Sequence, residues 1–224
     1  MAFPKAIPNS YVIDGDHCTW VRTEGQKCGA CLKKCPKEAI HLDEEPRTIE
    51  IAVGNIVVAT GFDPFDATRI ERYGYGKLPN VLTALEFERL TNASGPTGGK
   101  IVTRSPRFNR RTKQEEWVFE PEASQPKSVA IIHCVGSRDA TFNSHCSRVC
   151  CMYSLKFAHL VKEKLPGAEC DQFYIDMRAF GKGYEEFFER IKVVGGFVVR
   201  GRSAQVDQRD GRMVIRGEDI VRDR

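Results

Sequence analysis

Eight of the nine cysteines in this 224-residue chain fall into two groups, and no other feature restricts its fold as strongly. The first group has the spacing Cys-x9-Cys-x2-Cys-x3-Cys-Pro and consists of Cys18, Cys28, Cys31 and Cys35. The second has the spacing Cys-x11-Cys-x3-Cys-Cys and consists of Cys134, Cys146, Cys150 and Cys151. Only Cys170 lies outside both groups. Such grouping predicts metal centres or redox thiols.

The first group ends in Cys-x2-Cys-x3-Cys-Pro, which is the ligand spacing of bacterial ferredoxin clusters. A glycine within the loop, Gly29, lets neighbouring thiolates turn toward a common centre, and Pro36 ends the loop. Zinc sites usually pair two short cysteine motifs across a longer spacer. We therefore expect a [4Fe–4S] site here, with zinc or disulfides as the alternatives.

Composition and sequence pattern indicate the cellular compartment of the chain and the class of partner it can bind. Residues 1–10 contain no apolar core of a signal peptide, and no run of 18 apolar residues occurs. We expect a cytoplasmic chain without membrane insertion, in which grouped cysteines favour metal or redox chemistry over disulfides. A net charge of +4 and a pI of about 8.5 argue against nucleic acid as a partner.

One short stretch is strongly basic, and it contains Arg104, Arg107, Arg110, Arg111 and Lys113. We interpret it as part of a solvated loop. Docking on an acidic partner is the alternative.

The chain divides by pattern into three regions. Residues 1–48 resemble part of a ferredoxin-like segment that a cluster would hold together. Residues 49–126 begin with a strand at 49–61, continue with a capping box at Thr83 and a helix from Ala84, and end in a long loop with a strand at 117–119.

The third region, residues 127–224, alternates strands and helices and ends in a hairpin at Asp210-Gly211. The predicted order is a buried strand at 129–132, a helix at 146–165, a strand at 173–175, a helix at 184–194 and a strand at 197–199. This order predicts an α/β fold with a Rossmann-like parallel sheet. The Gly-x-Gly-x-x-Gly turn of nucleotide-binding units is absent, and Cys134 stands near its place.

The predicted strands and helices also predict where the second cysteine group lies. Cys134 is expected at the carboxyl end of a strand, and the other three cysteines on the first turns of the following helix. Free N–H groups and the helix dipole would favour a thiolate-ligated anionic cluster there. The residues alone leave two alternatives open, a vicinal redox disulfide or buried core cysteines.

Several tracts resemble the A-type subunit of heterodisulfide reductase, the iron–sulfur flavoprotein component of an electron-bifurcating complex. The tracts are 11–36, 56–66, 134–139, 146–156 and 176–187, and the resemblance covers roughly residues 5–205. It implies a thioredoxin-reductase-like FAD core with ferredoxin domains inserted in it and appended to it. It also implies that the second cysteine group binds a [4Fe–4S] cluster near the flavin.

The resemblance further assigns residues to the flavin. Ala59, Thr60 and Gly61 would lie against FAD, Lys156 would lie near the isoalloxazine, and Glu88 would be a nearby acid. A cation at Lys156 would stabilise a reduced, anionic flavin. A surface lysine and a surface glutamate are the alternatives.

The family's FAD fingerprint and the cysteine run that partners the first group are missing. In two-cluster ferredoxins the fourth cysteine of each run ligates the other cluster. Cys35 would then serve a second cluster. We therefore expect an internal piece of a longer protein, whose full FAD site needs further residues. The stretch at 104–126 also looks longer than the family pattern.

The resemblance implies an oxidoreductase component that passes electrons between FAD and [4Fe–4S] clusters. Its expected partners are ferredoxin, the B-type and C-type components of the reductase, and a hydrogenase- or dehydrogenase-linked electron donor. A non-catalytic electron-transfer module and a structural zinc module are the alternatives.

Overall fold

The computed structural model describes residues 11–45, 47–194 and 196–221. The first ten residues of the predicted ferredoxin-like segment therefore lie outside the described residues. The chain divides into two compact units, one ending at Phe62 and the other beginning at Asp63. Within the described residues, no helix has the length and apolar character needed to cross a membrane.

The N-terminal unit contains only short helices among its described residues. A 3-10 helix spans Gly15–His17, α1 spans Thr19–Arg22 and α2 spans Ala30–Lys34. The indole of Trp20 lies under the loop between α1 and α2, where a Cβ at Gly25 would come within 3.1 Å of it. The loop that carries the first cysteine group is thus packed around one aromatic ring.

The strand predicted at 49–61 is wrong. This segment is in no strand, and Ile56, Val57 and Val58 are 82%, 88% and 80% exposed. The alternation and the apolar run suit a strand, but a strand also needs a neighbour for its backbone N–H and C=O groups. The described residues of this unit supply none.

The C-terminal unit begins with two 3-10 helices, Ala67–Arg69 and Glu71–Tyr73, followed by α3, Ala84–Thr91. The capping box predicted at Thr83 is confirmed, because Thr83 and Glu86 exchange both hydrogen bonds. The long loop predicted before residue 126 is wrong in its middle, although the strand predicted within it at 117–119 is confirmed. An antiparallel hairpin occupies it, with β1 at Arg104–Asn109 and β2 at Gln114–Phe119.

The predicted βαβαβ order is confirmed as a three-stranded parallel sheet. Its elements are β3 (Ser128–Ile132), α4 (Cys150–Lys164), β4 (Glu169–Tyr174), α5 (Tyr184–Val194) and β5 (Gly196–Arg200). The strand order β3-β4-β5 leaves β3 at the edge, and for this reason it is only half-buried rather than fully buried as predicted. The Rossmann-like and ferredoxin-type assignments stay predictions.

The predicted start of the long helix is wrong by four residues. α4 begins at Cys150, and Cys146 lies in the preceding loop. Arg148 has a φ of +67°, which an α-helix cannot contain, so the helix cannot extend back through it. No side chain caps this helix N-terminus.

α4 supplies the centre of the main core. Leu155, Ala158 and Val161 are fully buried and pack with Ile101 and Cys170. A second cluster forms around Ile70, Tyr73 and Val206. The predicted C-terminal hairpin is confirmed, with β6 at Ser203–Arg209, β7 at Arg212–Gly217 and the turn at 210–211.

Candidate metal centre

Cys134 lies where a parallel sheet presents its functional groups, just beyond the carboxyl end of β3. The N–H of His133 donates to the carbonyl of Phe173 at 2.9 Å, which extends the sheet pairing to the residue before Cys134. Cys134 then adopts a φ of +56° and turns its buried thiol away from the ladder. Residues with such backbone angles are concentrated at functional sites.

Cys150 and Cys151 are the first two residues of α4, and both are buried. The thiols of Cys134 and Cys151 donate hydrogen bonds to the sulfur of Cys150, which lowers the pKa of Cys150. The same donation, together with burial, raises the pKa of Cys134 and of Cys151. Cys134, at the end of β3, and Cys151, in α4, therefore both lie beside Cys150.

Cys146 stands apart from these three in its environment. It is half-buried in the loop before α4, and the N–H of Arg148 donates to its sulfur at 3.3 Å. It lines a cleft of about 650 Å³ with Arg148, Phe180 and Glu185 among the other walls. The structure thus places Cys134 and Cys151 beside Cys150 and leaves the fourth predicted ligand, Cys146, on the loop before α4.

Two further residues approach the buried thiols, and sequence reasoning did not single them out. Arg138 donates a side-chain hydrogen bond to Cys134, and the backbone N–H of Arg178 donates to Cys151. Asp176 pairs with both guanidinium groups, so it ties the loop after β3 to the loop after β4. The sequence did contain a signal for these two arginines, because both lie in tracts that resemble the A-type subunit, at 134–139 and 176–187.

His133 is the other neighbour that the sequence reasoning missed. Its Nε2 lies 3.0 Å from Oε1 of Gln172 in β4, and both residues are buried. Burial lowers the pKa of His133, against a smaller opposing contribution from Gln172. Its Nδ1 has no hydrogen-bond partner among the described residues. Position beside Cys134 was the only sequence signal for it.

The first cysteine group lies on the surface of the N-terminal unit. Cys28 and Cys31 are exposed, while Cys18 and Cys35 are half-buried. Backbone N–H groups of Ala30 and Gly29 lower the pKa of Cys28. The N–H groups of residues 39 and 37 do the same for the pKa of Cys35. This loop therefore aims backbone donors at two of its four sulfurs, which suits thiolate ligands.

All nine cysteines are free thiols. The described residues contain no group of three or more His, Cys, Asp or Glu side chains set to hold a metal ion.

The flavin residues suggested by resemblance fall in two places. Lys156 in α4 and Glu88 in α3 form an ion pair with each other. Ala59, Thr60 and Gly61 are exposed and belong to no strand, and a Cβ added at Gly61 would meet nothing within 4 Å. The described residues around 59–61 therefore form no cradle that would fit a flavin.

The parallel sheet and the two groups of free thiols define a cysteine-rich protein of the mixed α/β class. No protein-family model matches the chain. Curated relatives, however, match it along almost its whole length, and their names agree with one another.

All three relatives compared are A-type subunits of heterodisulfide reductases. The chain is 44% identical over 222 residues to that of the H(2):CoB-CoM heterodisulfide,ferredoxin reductase of Methanothermobacter thermautotrophicus. It is 41% identical over 227 residues to that of the ferredoxin:CoB-CoM heterodisulfide reductase of Methanosarcina mazei. It is 42% identical over 223 residues to the A-type iron-sulfur subunit of the CoB–CoM heterodisulfide reductase of Methanocaldococcus jannaschii.

These alignments cover 98%, 100% and 98% of this chain, but only 30%, 26% and 30% of the respective relatives. The resemblance seen in the sequence is therefore confirmed: the chain is homologous to a part of the A-type subunit of heterodisulfide reductase.

Proposed function

We propose that this chain is the cluster-binding part of an oxidoreductase component that passes electrons between FAD and [4Fe–4S] clusters in a heterodisulfide reductase-type complex. The observation that supports it is that Cys134 and Cys151 both lie beside Cys150 and that all three thiols are buried, although they are not already arranged around a common metal position. The chain between them, residues 135–149, contains no helix or strand, and loops of this length are usually functional. Burial alone would suit core cysteines equally well, so the proposal depends on the nearness of these thiols to one another.

The surroundings of these sulfurs suit thiolate ligands of a cluster. Two donors reach them, the guanidinium of Arg138 and the backbone N–H of Arg178. The uncapped N-terminus of α4 adds N–H groups and the positive end of the helix dipole. Cys146 supplies the fourth sulfur from the preceding loop. A cluster bound there supplies one-electron transfer, and the protein tunes it through these hydrogen bonds and through burial.

The first group, Cys18, Cys28, Cys31 and Cys35, is proposed as a second iron–sulfur region. Its exposed sulfurs and its donated backbone N–H groups suit ligation by a loop that is completed on binding. FAD, disulfide reduction, bifurcation and the B-type, C-type, donor and ferredoxin partners are proposed for the whole protein. The flavin site would need residues beyond those around Ala59–Gly61.

The second candidate function is an electron-transfer module without flavin. It is favoured by the absence of a flavin-shaped cradle around Gly61 in the described part of the chain. A visible spectrum separates the two, since flavin absorbs in the blue with resolved bands and clusters absorb broadly. Zinc in place of iron would leave the chain colourless.

The experiment is anaerobic reconstitution of the chain with iron and sulfide, followed by iron analysis and low-temperature electron spin resonance. Cys150→Ala is expected to remove about four irons per chain, as the loss of a four-iron cluster requires. Cys170→Ala is the matched control, because it removes an equally buried thiol from β4. Full iron content in Cys150→Ala and in Cys151→Ala would show that these thiols are core residues and that the proposal is wrong.

A further inference from the structure

The β1–β2 hairpin has an unusual combination of properties at its far end. Residues 106–117 are all exposed except Asn109 and Glu116, so both faces of the hairpin meet solvent there. In the described residues neither strand has a second neighbour. An isolated two-stranded hairpin is only marginally stable in water. This hairpin is therefore an element whose surface is available to a partner.

The far end carries four unpaired positive charges. Arg107, Arg110, Arg111 and Lys113 are exposed, and none makes an ion pair or side-chain hydrogen bond with a described residue. No acidic residue interrupts 107–113. Lys and Arg number 34 and Asp and Glu 30, so these four cations account for the whole formal net charge of +4. The rest of the chain is balanced.

Aromatic side chains lie on one face of the hairpin, next to the turn that carries Arg110, Arg111 and Lys113, whereas Arg107 alternates to the other face. Alternation in the hairpin places Pro106 and Phe108 on the same face as Trp117, and Pro106 pairs directly with Trp117. Phe108 is 60% exposed and Trp117 is 48% exposed. Aromatic residues and arginine are the types enriched at the centres of protein interfaces. Exposed aromatic surface beside unpaired arginines is thus typical of a protein-binding patch.

The hairpin is held in shape without a partner. At the tip, the Asn109 side chain accepts from the N–H of Arg111 at 2.9 Å and donates to Glu116 at 2.6 Å. At the base, Arg104 bonds Glu86 of α3 at 2.8 Å and lies over the ring of Phe119. Of the five basic residues in this stretch, Arg104 therefore has a structural role. A shaped loop loses less conformational entropy when it binds.

We propose that this hairpin tip, residues 106–117, is the docking surface for a small acidic electron-carrier protein. The inference rests on the proposed function, which requires such a carrier. Charge complementarity selects the occupant: four cations in a compact patch match a carboxylate cluster on a small protein. The surface also contains Glu115 and Glu116, so its cations are confined mainly to the turn, which suits a small partner. A long polyanion would extend beyond the turn onto a chain that is otherwise electrically balanced.

The test uses the whole 224-residue chain with its clusters and an acidic ferredoxin as the probe, with affinity measured by interferometry at several salt concentrations. Arg110→Glu/Arg111→Glu should weaken binding at least about tenfold at roughly 50 mM salt and flatten the salt dependence. The matched control is Arg209→Glu/Arg212→Glu, which reverses two exposed arginines at the β6–β7 turn and should change affinity less than about twofold. Trp117→Ala should weaken binding about fivefold and keep the salt dependence.

Three results would overturn the proposal. The first is that the unsubstituted chain does not bind ferredoxin. The second is that Arg209→Glu/Arg212→Glu lowers the affinity for ferredoxin as much as the tip variant does. The third is that a DNA duplex or phosphatidylserine vesicles bind to the tip more tightly than ferredoxin does. Iron content and circular dichroism of each variant distinguish failure of the docking proposal from failure of the proposed function. A tip variant with full iron content and native circular dichroism but weak ferredoxin binding supports the docking surface. If the unsubstituted chain fails to bind iron, the proposed cluster site is wrong and the docking surface is not affected.

Discussion

The ammonium group of Lys156 in α4 donates a hydrogen bond to the carboxylate of Glu88 in α3, across 68 positions of sequence. The resemblance assigned both residues separately to a flavin environment. Their pairing gives each of them a structural role as well, because it fastens α3 to the helix that carries Cys150 and Cys151. A group that approached Lys156 would have to compete with Glu88 for it.

This ion pair should contribute a small but measurable coupling energy. Lys156 and Glu88 are 45% and 35% exposed, and pairs of this kind contribute roughly 0.5–1 kcal/mol. A double-mutant cycle with Lys156→Met and Glu88→Gln, followed by urea unfolding, measures it. The pair Lys77–Glu71 is 65% and 76% exposed and serves as the control, with a coupling expected near zero. A larger coupling for the control pair would contradict the assignment.

Gly136 lies two residues after Cys134 and has a φ of +75°. Because this backbone conformation is strained for residues with a side chain, Gly136 should tolerate no substitution. A Cβ there would lie 2.4 Å from the ring of Phe65. Gly136→Ala should cost about 2–4 kcal/mol of unfolding free energy, from backbone strain and overpacking together. Gly183→Ala is the control: its φ is +77° and its Cβ would meet nothing, so about 1 kcal/mol is expected. Equal losses would show that Phe65 yields without cost.

Glu86 should matter more to stability than its helix cap alone suggests. It accepts from Thr83 in the capping box, and it also bonds Arg104 at the base of the β1–β2 hairpin. Thr83→Ala should cost about 1 kcal/mol, and Glu86→Ala about 2 kcal/mol. Glu120→Ala, at an exposed site, should stay within about 0.5 kcal/mol. Thermal unfolding of the three variants decides it, and a Thr83→Ala loss that matches Glu86→Ala would refute the second role.

The buried thiol of Cys170 should make stability fall at alkaline pH. Burial, with a smaller contribution from Asp171, raises its pKa from 9.0 to about 11. The folded state therefore keeps the proton where the unfolded state loses it, so stability is fully present below about pH 9 and declines between about pH 9 and 11. At about pH 10 the loss should be about 1 kcal/mol relative to pH 8.

Cys170→Ala should show a decline smaller by about 1 kcal/mol at about pH 10 when urea unfolding is measured under reducing conditions at about pH 8, 9 and 10. The remaining decline is expected from Cys134 and Cys151, whose pKa values are also raised. Val161→Ala is the control, because it truncates an equally buried side chain without a titratable group. Its difference from the unsubstituted chain should not change with pH. An alkaline decline that persists in full in Cys170→Ala would rule out this thiol as its source.

Elements with strong local signals could be predicted from the sequence. The capping box at Thr83 marked the start of α3, glycines before and after 184–194 marked α5, and Asp210-Gly211 marked the turn of the last hairpin. Each depends on backbone preferences within a few residues. Of the β1–β2 hairpin, only the end of β2 was predicted, at 117–119. β1 and the turn at 110–113 were missed because the turn has no glycine to mark it.

Elements that depend on a distant neighbour could not be predicted in this way. The run at 49–61 has the pattern of a strand and remains unpaired in the described residues, since pattern cannot supply a hydrogen-bonding partner. Cys146 has helical spacing to Cys150, yet the positive φ of Arg148 separates it from α4. In both cases the local sequence pattern suited the predicted element. The backbone conformation was determined instead by contacts with residues distant in sequence.

The sequence by itself determined which thiols are available, their spacing and the parallel βαβαβ order that places Cys134 at a strand end. Tertiary structure alone decided that Cys134 lies beside Cys150, because that approach requires α4 to pack on the sheet through its buried face. The physical reason is that local preferences act over a few bonds, whereas burial and sulfur contacts depend on how separated elements fill space together.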